Sequence, residues 1–337
     1  MSKEPVSHHY LPQFYLKGFG CKEISKKSIS RLYTYDKVHF AKVVPKTTKE
    51  ICCEKHRNTI CIDNVNDYFI EKSFSELEGI MSEFFKVTKQ YCSQLEKEKK
   101  SQRNCWDRRK YFVLSHNKSL SGLMNESYYD RLFNYFISVF YWRLTIHDDY
   151  FELNTTPSFL SSSIENVLNV SQTDSTLKLD VFPDFLSEMK DDIDIPFMFD
   201  EQRELMKLYK NFIHPMSSLY SIRNRKYNVY MYNLAAYTLV GSDSPFIVDS
   251  GSPDLSRRFI FTWSSKVAFI NVKTTAKTMK NLNDWVFKIS ILNYLQAKRY
   301  VFCSDKELLE NVIMYSNMRY GKSNIEEIKN DLWALVD

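Results

Sequence analysis

The chain has 337 residues, 46 Lys and Arg against 41 Asp and Glu, and 44% hydrophobic residues, the composition of an ordinary globular protein of one large or two ordinary domains. Its net charge of +5 permits anionic partners without demanding them, and its seven glycines leave no G-x-x-x-x-G-K-[ST] loop and no third glycine after Gly18-Phe19-Gly20, which disfavours Walker-type NTPase, kinase and Rossmann dehydrogenase chemistry. Seven irregularly spaced cysteines, an M-S-K-E-P start without an apolar signal region, and a longest apolar run (Leu132 to Ile146) too short to span a bilayer predict a cytoplasmic protein with no membrane segment.

In chain order, Pro12 fits the first position of a short helix. Leu11, Phe14, Tyr15 and Phe19 recur at helical spacing, and Gly18 and Gly20 can end the turn. Ser30 to Tyr35 reads as a strand, with Val38 to Val44 as its hairpin partner across Asp36-Lys37 and Thr59 to Ile62 as a third short strand. Asp67 to about Lys99 is the clearest helix: Ile70, Phe74, Leu77, Met81, Phe84, Tyr91 and Leu95 repeat at three-and-four spacing, with Thr88 in the one gap. A helix is expected over Cys105 to His116. Another, apolar almost all round and therefore buried, is expected over Ser127 to His147. Residues 152–196 are mixed, with helices near 158–169 and 182–190. Asp200 caps a helix to His214, which Pro215 should end. Strands follow at Lys226 to Leu234, Tyr237 to Val240, Phe259 to Trp263 and Val267 to Val272, with Ser264-Ser265 as a hairpin turn. Lys280 to Ala297 is helical, Tyr300 to Cys303 is a strand, and Asp305 to Ser316 is a final capped helix. The expected fold is α+β: a mixed or antiparallel sheet built from N-terminal and C-terminal strands around a large central helical block. It is read as one domain over 1–337, with an N-terminal β region (1–66), a helical block (67–216) and a C-terminal α/β region (217–337).

Several polar residues stand in apolar settings. His8 and His9 offer acid/base or metal-ligand chemistry, against one packed histidine and one facing solvent. Glu71 and Glu78 lie seven apart, about 10 Å along one helix face. Arg143 ends the most apolar helix. A buried guanidinium needs an anionic partner, either a substrate or an ion pair with Glu71 or Asp243. Gly241-Ser242-Asp243-Ser244-Pro245 follows an apolar strand, so Asp243 is either a presented acid or a turn acceptor of backbone N–H groups. Cys52, Cys53, His56 and Cys61 lack the C-x-x-C spacing of a zinc knuckle. Basic residues at Lys97 to Lys110 and around Arg223, Arg225, Lys226, Arg257 and Arg258, with tyrosines near the latter, would suit a nucleic-acid backbone or a plain solvated face.

These pieces together, H-H-Y-L-P-Q-F-Y-L-K-G-F (8–19), L-Y-T-Y-D-K (32–37), I-E-K (70–72), L-E (77–78), F-Y-W-R-L (140–144), G-S-D-S-P-F (241–246) and N-Y-L-Q-A-K-R-Y-V-F-C-S (293–304), resemble the bacterial domain-of-unknown-function family numbered 4238, nearly end to end. The resemblance implies no established reaction. It does imply that His9, Glu71, Arg143, Ser242 and Asp243 are motif positions. Such an inventory would suit a metal-assisted phosphodiester hydrolase of the defence or toxin-effector type acting on RNA or DNA. In that expectation His9, His8, Glu71 and Asp243 are catalytic. Glu71 and Asp243 hold Mg²⁺ or Mn²⁺, and Arg143, Ser242 and Lys17 bind substrate. The alternative is a non-catalytic binding or regulatory module in which the same set forms a buried structural network. A homo-oligomer is compatible with either.

Overall fold

The structure of the protein is a computed structural model that describes residues 6–26, 29–39, 42–62, 64–97, 105–107, 127–154, 202–223, 228–234, 237–249, 255–272, 282–320 and 324–335. Two antiparallel sheets organise it. A five-stranded sheet has the order β10 (Phe246–Val248), β11 (Phe259–Ser264), β12 (Val267–Val272), β8 (Asn228–Asn233), β7 (Cys105–Asp107). A four-stranded sheet has the order β3 (Val44–Thr47), β2 (Arg31–Asp36), β13 (Tyr300–Cys303), β9 (Gly241–Ser242), so N-terminal and C-terminal strands share one ladder as the sequence predicts. Two small ladders complete the set: β1 (Ser7–His9) with β4 (Cys53–Lys55), and β5 (Ile60–Ile62) with β6 (Val65–Asp67).

The β11–β12 hairpin is buried on both faces, and its two-residue alternation divides the core. Phe259, Phe261, Trp263, Val267 and Phe269 face a first cluster. That cluster also holds the opening segment, helix α2 (Phe69–Lys97) and helix α3 (Ser127–Trp142). Ile260, Ala268, Ile270 and Val272 face a second cluster with helices α7 (Leu282–Gln296), α8 (Lys306–Arg319) and α9 (Ile325–Ala334). Strand β13 is divided in the same way, Phe302 to the first cluster and Val301 and Cys303 to the second.

Helix α2 follows its apolar spacing. Ile70, Phe74, Leu77, Met81 and Phe85 are buried, while Phe84 is only partly so. Thr88 is buried in the stripe because its hydroxyl donates to the Phe85 carbonyl (2.8 Å) and accepts the Trp263 indole N–H (2.9 Å). Asp305 caps α8 by accepting the Leu308 N–H at 3.0 Å.

Several expectations are corrected. His8 and His9 lie on strand β1, whose partner is more than forty residues away, a strand the sequence did not predict; helix α1 is Gln13–Lys17. The partner of β2 is Val44–Thr47, because the turn after Asp36 is longer than a tight hairpin. Cys105–Asp107 is an edge strand on β8 and not the start of a helix. Residues 237–240 form no ladder, and the hairpin turn falls at Ser265-Lys266. The helix from Ser127 stops at Trp142; a 3₁₀ turn (Thr145–His147) and α4 (Asp148–Asn154) follow. Pro215 does not end its helix. Between α5 (Gln202–Leu208) and α6 (His214–Arg223) the chain widens into a π turn at Tyr209–Ile213, which leads into α6 at the proline that lacks an N–H. Helix α9 extends the chain beyond the helix taken as final. The helices expected over 158–169 and 182–190 and the Asp200 cap lie outside the described residues.

With few glycines, tight loops place other residues at positive φ: Cys52 (55°), His56 (53°) and Asn64 (63°). Two of these flank β4, Cys52 before it and His56 after it, where the chain turns towards Asn58. No helix among the described residues is long and apolar enough to cross a membrane.

Candidate functional site

The opening strand delivers two histidines to opposite faces. His8 is buried, and its Nδ1 accepts the Asn58 backbone N–H at 2.9 Å. A nitrogen accepting that bond carries no proton, so the 3.9 Å separation from the Glu71 carboxylate is proximity and not an ion pair. Asn58 joins the two, because its side-chain amide donates to Glu71 Oε2 at 2.9 Å. His9 is half-buried, and its Nε2 is enclosed without a hydrogen-bond partner. Burial lowers the His9 pKa. The Thr48 carbonyl and Glu71 oppose that shift, while Arg143 and His8 add to it.

Arg143 leaves α3 just where the helix ends. It is 3% exposed, and its Nε donates to the Tyr10 carbonyl at 2.9 Å. Its guanidinium lies over the rings of Phe74 and Phe140, 5.0 and 5.5 Å from their centroids. Its carboxylate partner is Glu78, with Nη2 2.8 Å from Oε1. Nη2 makes no well-directed hydrogen bond, so this contact acts chiefly through charge. Burial raises the Glu78 pKa and Arg143 pulls it back. Arg57 extends the network. It bridges Glu54 and Asp148 (2.8 Å to the latter) and donates to the Arg143 carbonyl at 3.3 Å. Asp148 also pairs with the buried Lys210 from the π turn, whose pKa burial pushes down to about 7.

Asp243 is occupied elsewhere. It is fully buried. Its Oδ1 accepts the Lys298 N–H (3.0 Å), and its Oδ2 accepts the N–H groups of Arg299 (2.7 Å) and Tyr300 (2.8 Å). Its own N–H donates to the Tyr300 carbonyl at 2.9 Å. The carboxylate therefore fixes the turn that feeds β13. Burial raises its pKa to about 6, against the pull of the three N–H donors. Ser242 is buried beside it, its hydroxyl accepting the Ser244 N–H at 3.1 Å.

A family model described as protein of unknown function (DUF4238) matches residues 7–307. The chain belongs to that family. No curated protein and no solved structure matches it. In this DUF4238 chain the motif residues thus divide into two groups. His8, His9, Glu71 and Arg143 lie around one buried polar cluster with Glu78, joined by Asn58 and Arg57, which sequence reasoning missed. Ser242 and Asp243 form a separate turn clamp. Glu78 was visible as the second carboxylate of α2. Asn58 and Arg57 had no signal, because only the loop geometry brings them to the cluster.

Among the described residues, no three His, Cys, Asp or Glu side chains are placed to hold a metal ion. That covers Cys52, Cys53, His56 and Cys61, and Cys21, Cys52, Cys53, Cys61 and Cys303 are free thiols. Arg258 pairs with Asp249 (3.0 Å) and lies over Trp333 at 5.0 Å, which gives it a structural task. Arg225, Lys226 and most of the Lys97 to Lys110 run lie outside the described residues. Lys17, at the other end of α1 from the histidines, lines a cavity of 760 Å³ between α1, the 21–26 loop, α2 and the β11–β12 hairpin.

Proposed function

We propose that this DUF4238 chain is a cytoplasmic binding or regulatory module and that its His/Glu/Arg/Asp set is a buried structural network. The observation that carries this reading is the state of Asp243. Both its oxygens accept backbone N–H groups, three in all, at a position with no exposure to solvent, so the carboxylate is committed to the turn and not presented to a metal ion, a water or a substrate proton. Arg143 is similarly engaged, by Glu78, the Tyr10 carbonyl and two aromatic faces. A substrate anion would have to displace those partners from a site that solvent scarcely reaches. The free thiols fit a reducing compartment.

One observation favours a second reading, hydrolysis of an RNA or DNA phosphodiester with Mg²⁺ or Mn²⁺. His9 Nε2 has no partner, and its imidazole is kept neutral next to Glu71, as a general base requires. A single-turnover cleavage assay on single-stranded and structured RNA and DNA, with Mg²⁺ or Mn²⁺, separates the two. The expected result is no metal-dependent cleavage by wild type above that of His9→Ala. Cleavage by wild type that vanishes in a folded His9→Ala variant would overturn the binding-module reading.

A further inference from the structure

The cavity at the end of α1 brings together five lysines: Lys17, Lys22, Lys26, Lys89 and Lys266. The one acidic residue among its described lining is Glu23. The lysines come from the opening helix, the following loop, α2 and the β11–β12 turn. They are gathered by the fold and do not form a run in sequence. Lys17, Lys22, Lys26 and Lys89 are exposed. Lys266 is held in place, its ammonium donating to the Tyr237 carbonyl (2.8 Å) and the Thr238 hydroxyl (3.1 Å). The framework beneath them is rigid. The Ser265 N–H donates to the Gly18 carbonyl at 3.2 Å, tying the hairpin to the end of α1, and a Cβ on Gly18 would lie 2.5 Å from the Phe85 ring. Like charges brought to one concave place repel unless an anion joins them, and a cleft of one sign focuses the field on such a ligand.

We infer that this cavity binds the phosphate chain of a small oligophosphate ligand, as carried by inorganic tripolyphosphate or a nucleoside triphosphate. Three features select that class. Lysine presents compact point charges that suit phosphate oxygens. The volume of 760 Å³ lies in the range of small-ligand sites, about 300–1,000 Å³. Phe85 is the one aromatic in the described lining. It is 7% exposed and packed against Trp263 and Phe14, with centroids 5.2 and 5.5 Å away, so it offers no free face on which a strand could stack its bases. The described lining supplies charge for a phosphate chain and no free aromatic face for a base. The inference stands whether or not the His9 cluster is catalytic, because the two places have no residue in common: α2 reaches both, with Glu71 and Glu78 at the cluster and Phe85, Thr88 and Lys89 at the cavity.

The test is calorimetric titration of the full chain with tripolyphosphate, orthophosphate, adenosine triphosphate and a twelve-nucleotide single-stranded DNA. Wild type is compared with the triple variant Lys17→Ala/Lys22→Ala/Lys26→Ala and with Lys329→Ala on helix α9, which contributes no residue to the described lining. The expected result is salt-dependent binding of tripolyphosphate, much weaker binding of orthophosphate, and a loss of about tenfold or more in the triple variant but not in Lys329→Ala. Competition by adenosine triphosphate at equal affinity points to the phosphate chain alone, and tighter binding points to a nucleotide source; both support the inference. Equal unfolding midpoints keep a folding defect apart from a binding defect. Absence of tripolyphosphate binding overturns the inference, as does binding unchanged in the triple variant. So does DNA binding that tripolyphosphate fails to displace.

Discussion

Replacing Asp243 by alanine separates a turn clamp from a catalytic acid. The change strands three N–H groups, those of Lys298, Arg299 and Tyr300, now bonded at 3.0, 2.7 and 2.8 Å. Each stranded donor costs about 1–2 kcal/mol, a gross loss of about 3–6 kcal/mol. Against this, the variant no longer buries a carboxylate whose pKa is raised from 3.8 to about 6, a relief of about 3 kcal/mol above pH 6. The net loss at pH 7 is then about 0–3 kcal/mol. Because the folded pKa lies above the unfolded one, the native state binds the extra proton. Wild type therefore gains stability as the pH falls from 6 towards 4, and the alanine penalty grows by about 1.4 kcal/mol per unit over that window. Urea unfolding at pH 7 and pH 5, with a common m-value, measures both quantities. Functional residues are often held at the expense of stability. An Asp243→Ala variant as stable as wild type at both pH values would therefore refute the clamp and return Asp243 to candidate chemistry. A penalty that shrinks as the pH falls would show that the three donors outweigh burial.

The Arg143–Glu78 pair should behave as a unit: Arg143→Met alone leaves a buried carboxylate uncompensated and should lower stability by about 3–5 kcal/mol, whereas Arg143→Met/Glu78→Leu should lose clearly less than the sum of the two single changes in the same urea assay. His147 and His214 are kept neutral by burial, with pKa values lowered to about 3 and about 4, so the unfolded chain binds the extra protons below pH 6.5. Stability should fall as the pH drops from 6.5, by up to about 1.4 kcal/mol per unit for each ring, and His214→Phe should flatten that slope in thermal scans. A Cβ at Gly241 would lie 2.5 Å from the Phe302 ring and 2.8 Å from that of Phe19; Gly241→Ala should therefore cost about 1–3 kcal/mol by overpacking, read from the shift in urea midpoint.

What the sequence disclosed follows a physical division. Helix α2 was legible down to Thr88, because its packing is written in local spacing. The β11–β12 hairpin was legible for the same reason. Strand β1 was not, since its three residues pair with Cys53–Lys55 and nothing near His8 signals that partner. Pro215 misled because a stop rule for helices does not foresee a π turn that readmits the proline. At the candidate site, the need of Arg143 for an anion was readable from its apolar helix, but the choice of Glu78 over Glu71 depends on where α2 and α3 cross. The lysine cavity was represented by Lys17 alone, because its other cations reach it from separate parts of the chain.

The divided hairpin and the shared ladder also set the order in which a ribosome can complete this protein. Tyr15 and Phe19 pack on Phe261 and Phe302, and β2 closes on β13, so the first core residues made are among the last to find their partners. At about 5–20 residues per second the opening segment waits on the order of tens of seconds, its aromatics exposed, while the intervening chain is synthesised. Folding of the first cluster is thereby deferred until Phe302 has been made. A nascent chain arrested before Phe302 should remain a client of holding chaperones, however complete its helix α2 has become.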